Sequence, residues 1–465
     1  MIIYFGFIRQ MCDILTKKYI FIILDPFSSM VSPFLLGKNG VKFVEAKFLD
    51  LNGVLRSRTF PVDRYLTVIR EIGFGFDGSS VGFFPVEDSD AVAMPLEDTL
   101  RITPYKDTAM VLCDVLKDGK SFHGFGKNIL KNLLEKIPYD VFIGPEIEFY
   151  LTKDGRPVDE AGYMSSSPMD VGEGFKKEFM NFLQESNSDF NIQVAHHEVG
   201  PSQHEVELKY DKAIPMINKL ISYKYLLRKI AEQKGFEVTY MPKPFFEKAG
   251  SGMHFHISLW EGENPLFFEN ENEISDLAKS FIAGILEHSR EIALVTNGTV
   301  NSYKRLIAGY EAPVYCVWGF ANRSAEIRIP KYRILKPSTA RIEVRSLDGL
   351  NDHFLACAVL IKAGMIGIEK EMEAPEPFQK NAYRLTEDEC EKLGVKMLPK
   401  SLGEAIEEAK KGTIVKGLLG NDLFDNFVED KEREWEQYCD YLNNNSESIE
   451  TKNVTNWELK KYFRM

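Results

Sequence analysis

Residues 41–62 read VKFVEAKFLDLNGVLRSRTFPV. Apolar and polar side chains alternate on both sides of Asn52-Gly53, and an Asn-Gly step between two alternating runs is the strongest short-range signal for a β-hairpin. Successive strand residues point to opposite faces, so each run offers one apolar face to a core. A further strand-like piece spans 108–114, and residues 38–125 therefore read as a small β-rich N-terminal domain. Beyond it, strand and helix patterns alternate. VFIGPEIEFYL, IQVAHHEVG, QHEVELKY, GMHFHISLW, AEIRIP and ARIEVRSL are strand-like. Helical periodicity marks 127–136, 175–185, 213–234, 273–295, 354–369, 401–411, 422–443 and 455–462, and the polar run 443–453 reads as a loop. Residues 126–465 thus form a second, larger domain of mixed α and β content.

The 465 residues suffice for two or three domains, and 44% hydrophobic with 27% charged side chains is ordinary globular composition that excludes a disordered or collagen-like chain. A net charge of -12 argues against a nucleic-acid partner, which needs a positive field. The six cysteines (Cys12, Cys113, Cys316, Cys357, Cys390, Cys439) contain no CxxC pair and read as free thiols of a reducing, cytoplasmic environment. No apolar run reaches the roughly 18 residues of a spanning helix. Residues 1–27 hold two apolar bursts broken by Arg9, Asp13, Lys17 and Lys18, the wrong order for a signal peptide. Residues 1–37 are therefore expected to be an extension outside the fold, with Met30 as an alternative start.

The chemistry sits on the strands. GPEIEFY (144–150) sets Glu146 and Glu148 on one face and Ile147 and Phe149 on the other. Adjacent carboxylates on an apolar strand repel each other unless a cation lies between them or water reaches them. The pattern recurs with Glu198 and Glu205 in HHEVGPSQHEVELKY, with His254 and His256 in GMHFHISL, and with Arg341, Glu343 and Arg345 in RIEVRSL. Many carboxylates, a few imidazoles and no thiolates make a donor set for Mg²⁺ or Mn²⁺ rather than structural zinc, and HExxH is absent. Arg305, Arg323, Arg328, Arg341 and Arg345 form a second group, suited to carboxylate and phosphate anions. Divalent ions plus arginines are the equipment of phosphoryl transfer. GFGFDG (73–78) matches GxGxxG but leads into SSVGFFP, not a helix, and no GxxxxGK[ST] occurs. A nucleotide site here is neither of the Rossmann nor of the P-loop kind.

In order along the chain, FDGSS (76–80), GPEIEFY, HHEVGPSQHEVE, MPKPFFEKAGSGMHFHISLW, NSYKRLIAGYEAPV, NRSAEIRIP, RIEVR and VTNWELKKYF resemble the signatures of type I glutamine synthetase of bacteria and archaea, over about residues 41–463. The resemblance implies an α+β fold: a β-grasp-like N-terminal domain and a large catalytic α/β domain with a curved, mainly antiparallel sheet. It implies a homododecamer of two stacked hexamers with active sites shared between neighbours. It further implies ligation of ammonia to glutamate, driven by ATP, through a γ-glutamyl phosphate, with two or three Mg²⁺ or Mn²⁺ ions per subunit. By motif, Glu148, Glu198 and Glu205 would hold one ion, and Glu146, His254 and Glu343 the second. His256, Tyr210 and Ser258 would lie at the nucleotide, and Arg323, Arg328 and Arg341 at its phosphates and the transferring group. Arg305 and Arg345 would grip glutamate, with Gly250 allowing close backbone approach. Glu311 would be the flap residue, and Asp77 of a neighbouring copy, with Ser80 and Tyr163, would bind ammonium and take its proton.

Some positions depart from the family pattern: Ala249 before GSGMH, Gly319 after Trp318, Leu347-Asp348, Asn351-Asp352-His353, and Asp88-Ser89-Asp90. They leave open a γ-glutamyl ligase for an organic amine, and beside it a catalytically silent relative. All six candidate metal ligands are present, which argues against the silent relative. Asn381-Ala382-Tyr383-Arg384-Leu385 only loosely echoes the family's adenylylation segment, so Tyr383 is not expected to accept a nucleotide.

Overall fold

A computed structural model describes residues 28–270, 273–331, 336–448 and 452–465. Residues 1–27, with Cys12 and most of the expected extension, lie outside the described residues; the rest of it does not stay outside the fold, since Ser28–Lys38 is a helix that buries Leu36 in the core. The hairpin forms where the alternation placed it: β1 (Phe43–Leu49) pairs antiparallel with β2 (Leu55–Pro61), Leu49 opposite Leu55. The loop runs from Asp50 to Val54, longer than a two-residue turn, because Asp50 Oδ1 accepts the backbone N–H of both Asn52 and Val54 at 2.9 Å. Gly53 adopts φ +77° and abuts the Asn351 backbone, where a Cβ would fall 2.3 Å from the Asn351 carbonyl carbon. Glycine is required there twice over, for its dihedral and for its contact. The loop thereby docks the small domain on the large one.

β3 (Phe74–Asp77), β4 (Asp90–Pro95) and β5 (Thr108–Lys117) complete the N-terminal sheet in the order β2-β1-β5-β4-β3, with two short strands added to β5. The β1–β5 pair is parallel and the other main pairs are antiparallel. Val44, Ala46 and Phe48 of β1 face the core.

The larger sheet comprises β6 (Asp140–Lys153), β7 (Ile192–His197), β8 (Gln203–Leu208), β9 (Met253–Glu261), β10 (Trp318–Phe320), β11 (Ile327–Ile329) and β12 (Ile342–Val344), in the order β7-β8-β6-β9-β12-β11-β10 plus four short strands. Only β10–β11 is parallel among these pairs. Its helices include α1 (Gly126–Leu134), α2 (Glu173–Ser186), α3 (Ala213–Gln233), α4 (Asp276–Thr296), α5 (His353–Glu369), α6 (Leu402–Lys411), α7 (Asn421–Asn444) and α8 (Asn456–Tyr462). Three start one to three residues later than the periodicity alone suggests, because a capping side chain sits at the expected first residue or within two residues of it. Ser275, Ser401 and Thr455 each accept a backbone N–H three residues on, and Thr455 completes a capping box with Glu458. On α3, Tyr225 donates to Glu45 of β1, and Lys47 lies 4.1 Å from the Tyr225 ring, a polar seam between the domains. Cys113, Cys316, Cys357, Cys390 and Cys439 are free thiols. Among the described residues no helix is long and apolar enough to cross a membrane.

Candidate functional site

Strand register turns isolated residue pairs into one row. Across the sheet, His196 of β7 faces Glu205 of β8, which faces Glu148 of β6. Glu146 of β6 faces His254 of β9. His256 of β9 faces Glu343 of β12, which faces Arg328 of β11. The opposite face of β6 carries Ile147 and Phe149, both buried.

Two adjoining cavities open over this row, each of about 220 Å³. The first is lined by Glu146, Glu148, Glu198, Glu205 and His254, by Arg305, Arg323, Arg328 and Arg345, and by Gly250, Tyr163 and Glu311. The second is lined by Tyr210, His256, Ser258 and Arg341, together with Phe142. Glu146 and Glu207 line both. Glu343 lies fully buried beneath them, held by the guanidinium groups of Arg328 and Arg345.

The carboxylates divide into two kinds. Burial and the charge of Glu198 push Glu148 up to about 7. Burial and four neighbouring glutamates, Glu146 first among them, push Glu205 well above the usual carboxylate range. Burial would also raise Glu146, but His256 and His254 hold it well below that range. Burial opposes ionisation of Glu343 too, yet Arg345 and His256 bring it down to about 2. Burial and Arg345 lower His254 to about 4, leaving a neutral ring able to donate a lone pair. Crowded carboxylates with raised proton affinity, beside neutral imidazole, fit a hard divalent cation: such an ion would replace the protons and relieve the repulsion.

Second contacts fix these groups. Glu148 Oε2 accepts from Gly252 N at 2.8 Å and from Gln203 Nε2 at 3.0 Å. A Cβ on Gly252 would lie 2.4 Å from Arg305 Nη2, and one on Gly250 2.7 Å from Arg305 Cγ, so the GSG backbone must be bare for Arg305 to enter. Arg305 donates to the carbonyls of Ser346 and Arg345 at 2.8 and 2.9 Å. Arg345 Nη2 donates to Glu311 O at 3.2 Å, and Glu311 has left-handed backbone at φ +60°. His256 bridges the cavities: Arg341 Nε donates to its Nδ1 at 2.9 Å, and its Nε2 meets Glu146 Oε1 at 2.6 Å. Tyr210 stacks edge-on against Phe142, ring centroids 5.8 Å apart, forming an aromatic wall in the second cavity.

Two sequence-predicted residues stand apart. Asp77 ends β3 and Ser80 lies in the helical turn just after it; both are exposed and line neither cavity. Asp77 is nonetheless organised: Ser80 Oγ donates to Oδ2 at 2.5 Å, Ser79 Oγ and N donate to Oδ1, and these bonds lower its proton affinity. His256 joins the expected set of Glu146, His254 and Glu343. Glu146, His256 and Glu343 have donor atoms within 4.8 Å of one another, and His254 Nδ1 lies 3.5 Å from Glu146 and 3.7 Å from Glu343. Sequence reasoning missed His196 and Glu207, which join Glu205 in a second group of the same kind. They stand two residues from Glu198 and Glu205, so the alternation used for the pairs would have found them. It also missed Phe142, whose position in an apolar run hid its place in a cavity wall.

The departures from the family pattern have local reasons. A Cβ on Gly319 would meet Phe378 O at 2.4 Å, so serine does not fit. Asp352 caps α5, accepting from Phe354 N and Leu355 N. Asp348 is buried and accepts from Asn297 and Leu350 N. Asp88 pairs with Lys117 at 2.6 Å. Ala249 alone lines the first cavity.

Residues 126–462 match the family model described as glutamine synthetase, catalytic domain, and residues 40–118 the one described as glutamine synthetase, beta-Grasp domain. A glutamine synthetase of Pyrococcus horikoshii is 41% identical, covering 91% of this chain and 96% of the relative. One of Methanococcus voltae is 37% identical, covering 92% and 97%. Among solved structures, a GmaS/ADP complex superposes with TM-score 0.79 at 25% identity over 92% of this chain and 98% of the other. The Plasmodium falciparum glutamine synthetase shares the fold, with TM-score 0.79 at 22% identity over 94% and 98% of the two chains.

Proposed function

Because the chain belongs to the glutamine synthetase family, we propose that its two adjoining cavities divide the work of an ATP-dependent glutamate–ammonia ligase, the first taking glutamate and the second the nucleotide. The observation that carries this division is the continuous row of carboxylates and imidazoles between an arginine-lined cavity and an aromatic-walled one. The enzyme is a ligase that makes glutamine, ADP and phosphate from glutamate, ammonia and ATP. An organic amine as acceptor is the weaker reading: the relatives quoted above, 37–41% identical to this chain, are named glutamine synthetases.

Glu148, Glu198 and Glu205 would hold one Mg²⁺ or Mn²⁺ ion, and Glu146, Glu343 and His254 the second, with His256 beside them. Bound there, the ions supply positive charge against the phosphates. Arg341 and His256 orient the nucleotide's phosphates, with Tyr210 and Ser258 along its length. Arg305 and Arg345 hold glutamate's carboxylates, placing a γ-carboxylate oxygen in line with the terminal phosphorus. That oxygen attacks, ADP leaves, and Arg323 and Arg328 stabilise the charge on the transferring group. Glu311 closes over the acyl phosphate and keeps water out. Asp77 of a neighbouring copy, with Ser80 and Tyr163, attracts ammonium and takes its proton; ammonia attacks the acyl carbon and phosphate departs. That step needs a homo-oligomer with shared sites, which we propose to be two stacked hexamers in the cytoplasm. Phosphate and glutamine formation are measured with glutamate, ATP and either ammonium or a panel of amines. Turnover with ammonium is expected; turnover with an amine alone would overturn the reading.

A further inference from the structure

The strands that present Glu198 and Glu205 have a second charged face. His197 and His204 are cross-strand partners on β7 and β8, one step out of phase with His196 and Glu205, so they point away from the cavity. Both are fully buried, their rings 4.7 Å apart and T-shaped at 78°. With Asp159 and Asp170 they place four potential ligand atoms within 4.8 Å of one another. That is the donor set of a metal site, but two of its members already hold an ammonium group. Lys176 of α2, 3% exposed, lies with Nζ 2.7 Å from Asp170 Oδ2 and 2.8 Å from His204 Nδ1. The cluster has little to spare: Asp170 Oδ1 and His204 Nε2 have no hydrogen-bond partner. Removing the ammonium would leave the buried Asp170 carboxylate without its ion-pair partner, which is strongly unfavourable.

The cluster is wired to the cavity through backbone. His197 Nδ1 lies 2.6 Å from the Glu198 carbonyl, and its Nε2 lies 3.1 Å from Asp159 Oδ1. Asp159 accepts the backbone N–H of Ser202, Ala161 and Val171. One carboxylate therefore ties the turn that follows Glu198 to the loop that carries Tyr163.

We propose that Lys176 acts as an internal cation in place of a metal, and that the Asp159–Asp170–His197–His204 cluster around it positions Glu198 and Glu205 to seat one divalent ion. The residues are positioning residues; none touches substrate. The inference rests on the proposed function above, in which those glutamates hold an ion.

The test is direct Mn²⁺ titration of the full chain, followed by electron paramagnetic resonance without substrates, alongside thermal melting. Glu205→Gln identifies which binding step belongs to the Glu198–Glu205 site. Lys176→Met is expected to weaken that step about tenfold, the effect of losing a supporting partner behind a ligand, and to leave the other step unchanged. His204→Leu, which removes the acceptor, should reproduce this split, while His204→Asn, which keeps an acceptor near the Nδ1 position, should stay within about threefold of the unmodified chain. If Lys176→Met does not fold, the two His204 variants decide. Unchanged affinities in a folded Lys176→Met or His204→Leu protein overturn the inference. So does an equal fall in both steps with a lowered melting temperature, which would mark general destabilisation. A parent chain that binds no Mn²⁺ overturns the proposed function and this inference together; a parent that binds two ions, with variants that lose neither, overturns the inference alone.

Discussion

The two cavities have equal volume, share Glu146 and Glu207, and are built on the same strands, yet the rest of their walls differ in chemistry. The first gathers four arginines and a crowd of glutamates; the second has the Phe142–Tyr210 wall and only one arginine, Arg341. Volume therefore says little about what each can take. The first is an electrostatic device, in which like charges held together create a demand for cations and fixed guanidinium groups a demand for anions. The second is a surface for a flat, partly apolar ligand with phosphates at one end. His256, between Arg341 and Glu146, is where one chemistry passes into the other.

The largest break in this contrast should come from Glu343, the buried anchor of Arg328 and Arg345. Glu343→Ala leaves two guanidinium groups without their partner. It should cost about 3–5 kcal/mol of stability, measured by urea unfolding, because one side of a buried ion pair is removed. Ligase activity should fall by roughly 10²–10³, the scale of losing a charge-stabilising group.

Glu148 tests the first cavity's repulsion. Its carboxyl, raised by burial and by Glu198 to about 7, stays protonated in the folded state above the pH at which the unfolded chain ionises. The folded form then binds the extra proton, so metal-free stability falls as pH rises toward and through about 7. Glu148→Gln should melt higher than the parent at pH 8 without divalent ions, and the gap should vanish near pH 5. Because the ion competes with that proton, Mn²⁺ affinity of the parent should weaken by up to about tenfold per pH unit below that range. A pH-independent affinity would remove the coupling.

Tyr210→Ala should act on the second cavity alone. Loss of an aromatic contact worth about 1 kcal/mol should raise KM for ATP roughly fivefold and leave KM for glutamate unchanged. A matching change in the glutamate constant would erase the division between cavities. The smallest effect on overall rate is expected for Glu311→Ala, whose signature is a ratio: phosphate released per glutamine should rise as water reaches the acyl phosphate. An unchanged ratio would deny Glu311 its role as a lid.

Sequence periodicity revealed much of this arrangement because a strand's two faces are set by a local rule. Glu146 and Glu148, His254 and His256, and Arg341, Glu343 and Arg345 were legible as facing sets before any partner was known. His196 and Glu207 were equally legible at the next step of the same rule. Phe142 was not, since an apolar residue in an apolar strand carries no mark of lining a cavity. Helix starts moved by one to three residues wherever Ser or Thr capped instead of joining, as at Ser275 and Thr455. The Lys176 cluster was invisible for another reason: a lysine on an amphipathic helix reads as a solvated charge until the fold buries it.

The amino-acid order alone determined the two-part α+β architecture, the family, and which side chains share a strand face, because backbone sterics impose the two-residue repeat within a few neighbours. Only the tertiary structure decided that Glu205 stands opposite Glu148, that Glu343 is held by two arginines, that Asp77 lies away from the cavity of its own chain, and that an ammonium fills a metal-like cluster behind the site. Those facts depend on register and packing between segments far apart in sequence, where hydrogen bonding and burial act across the whole fold.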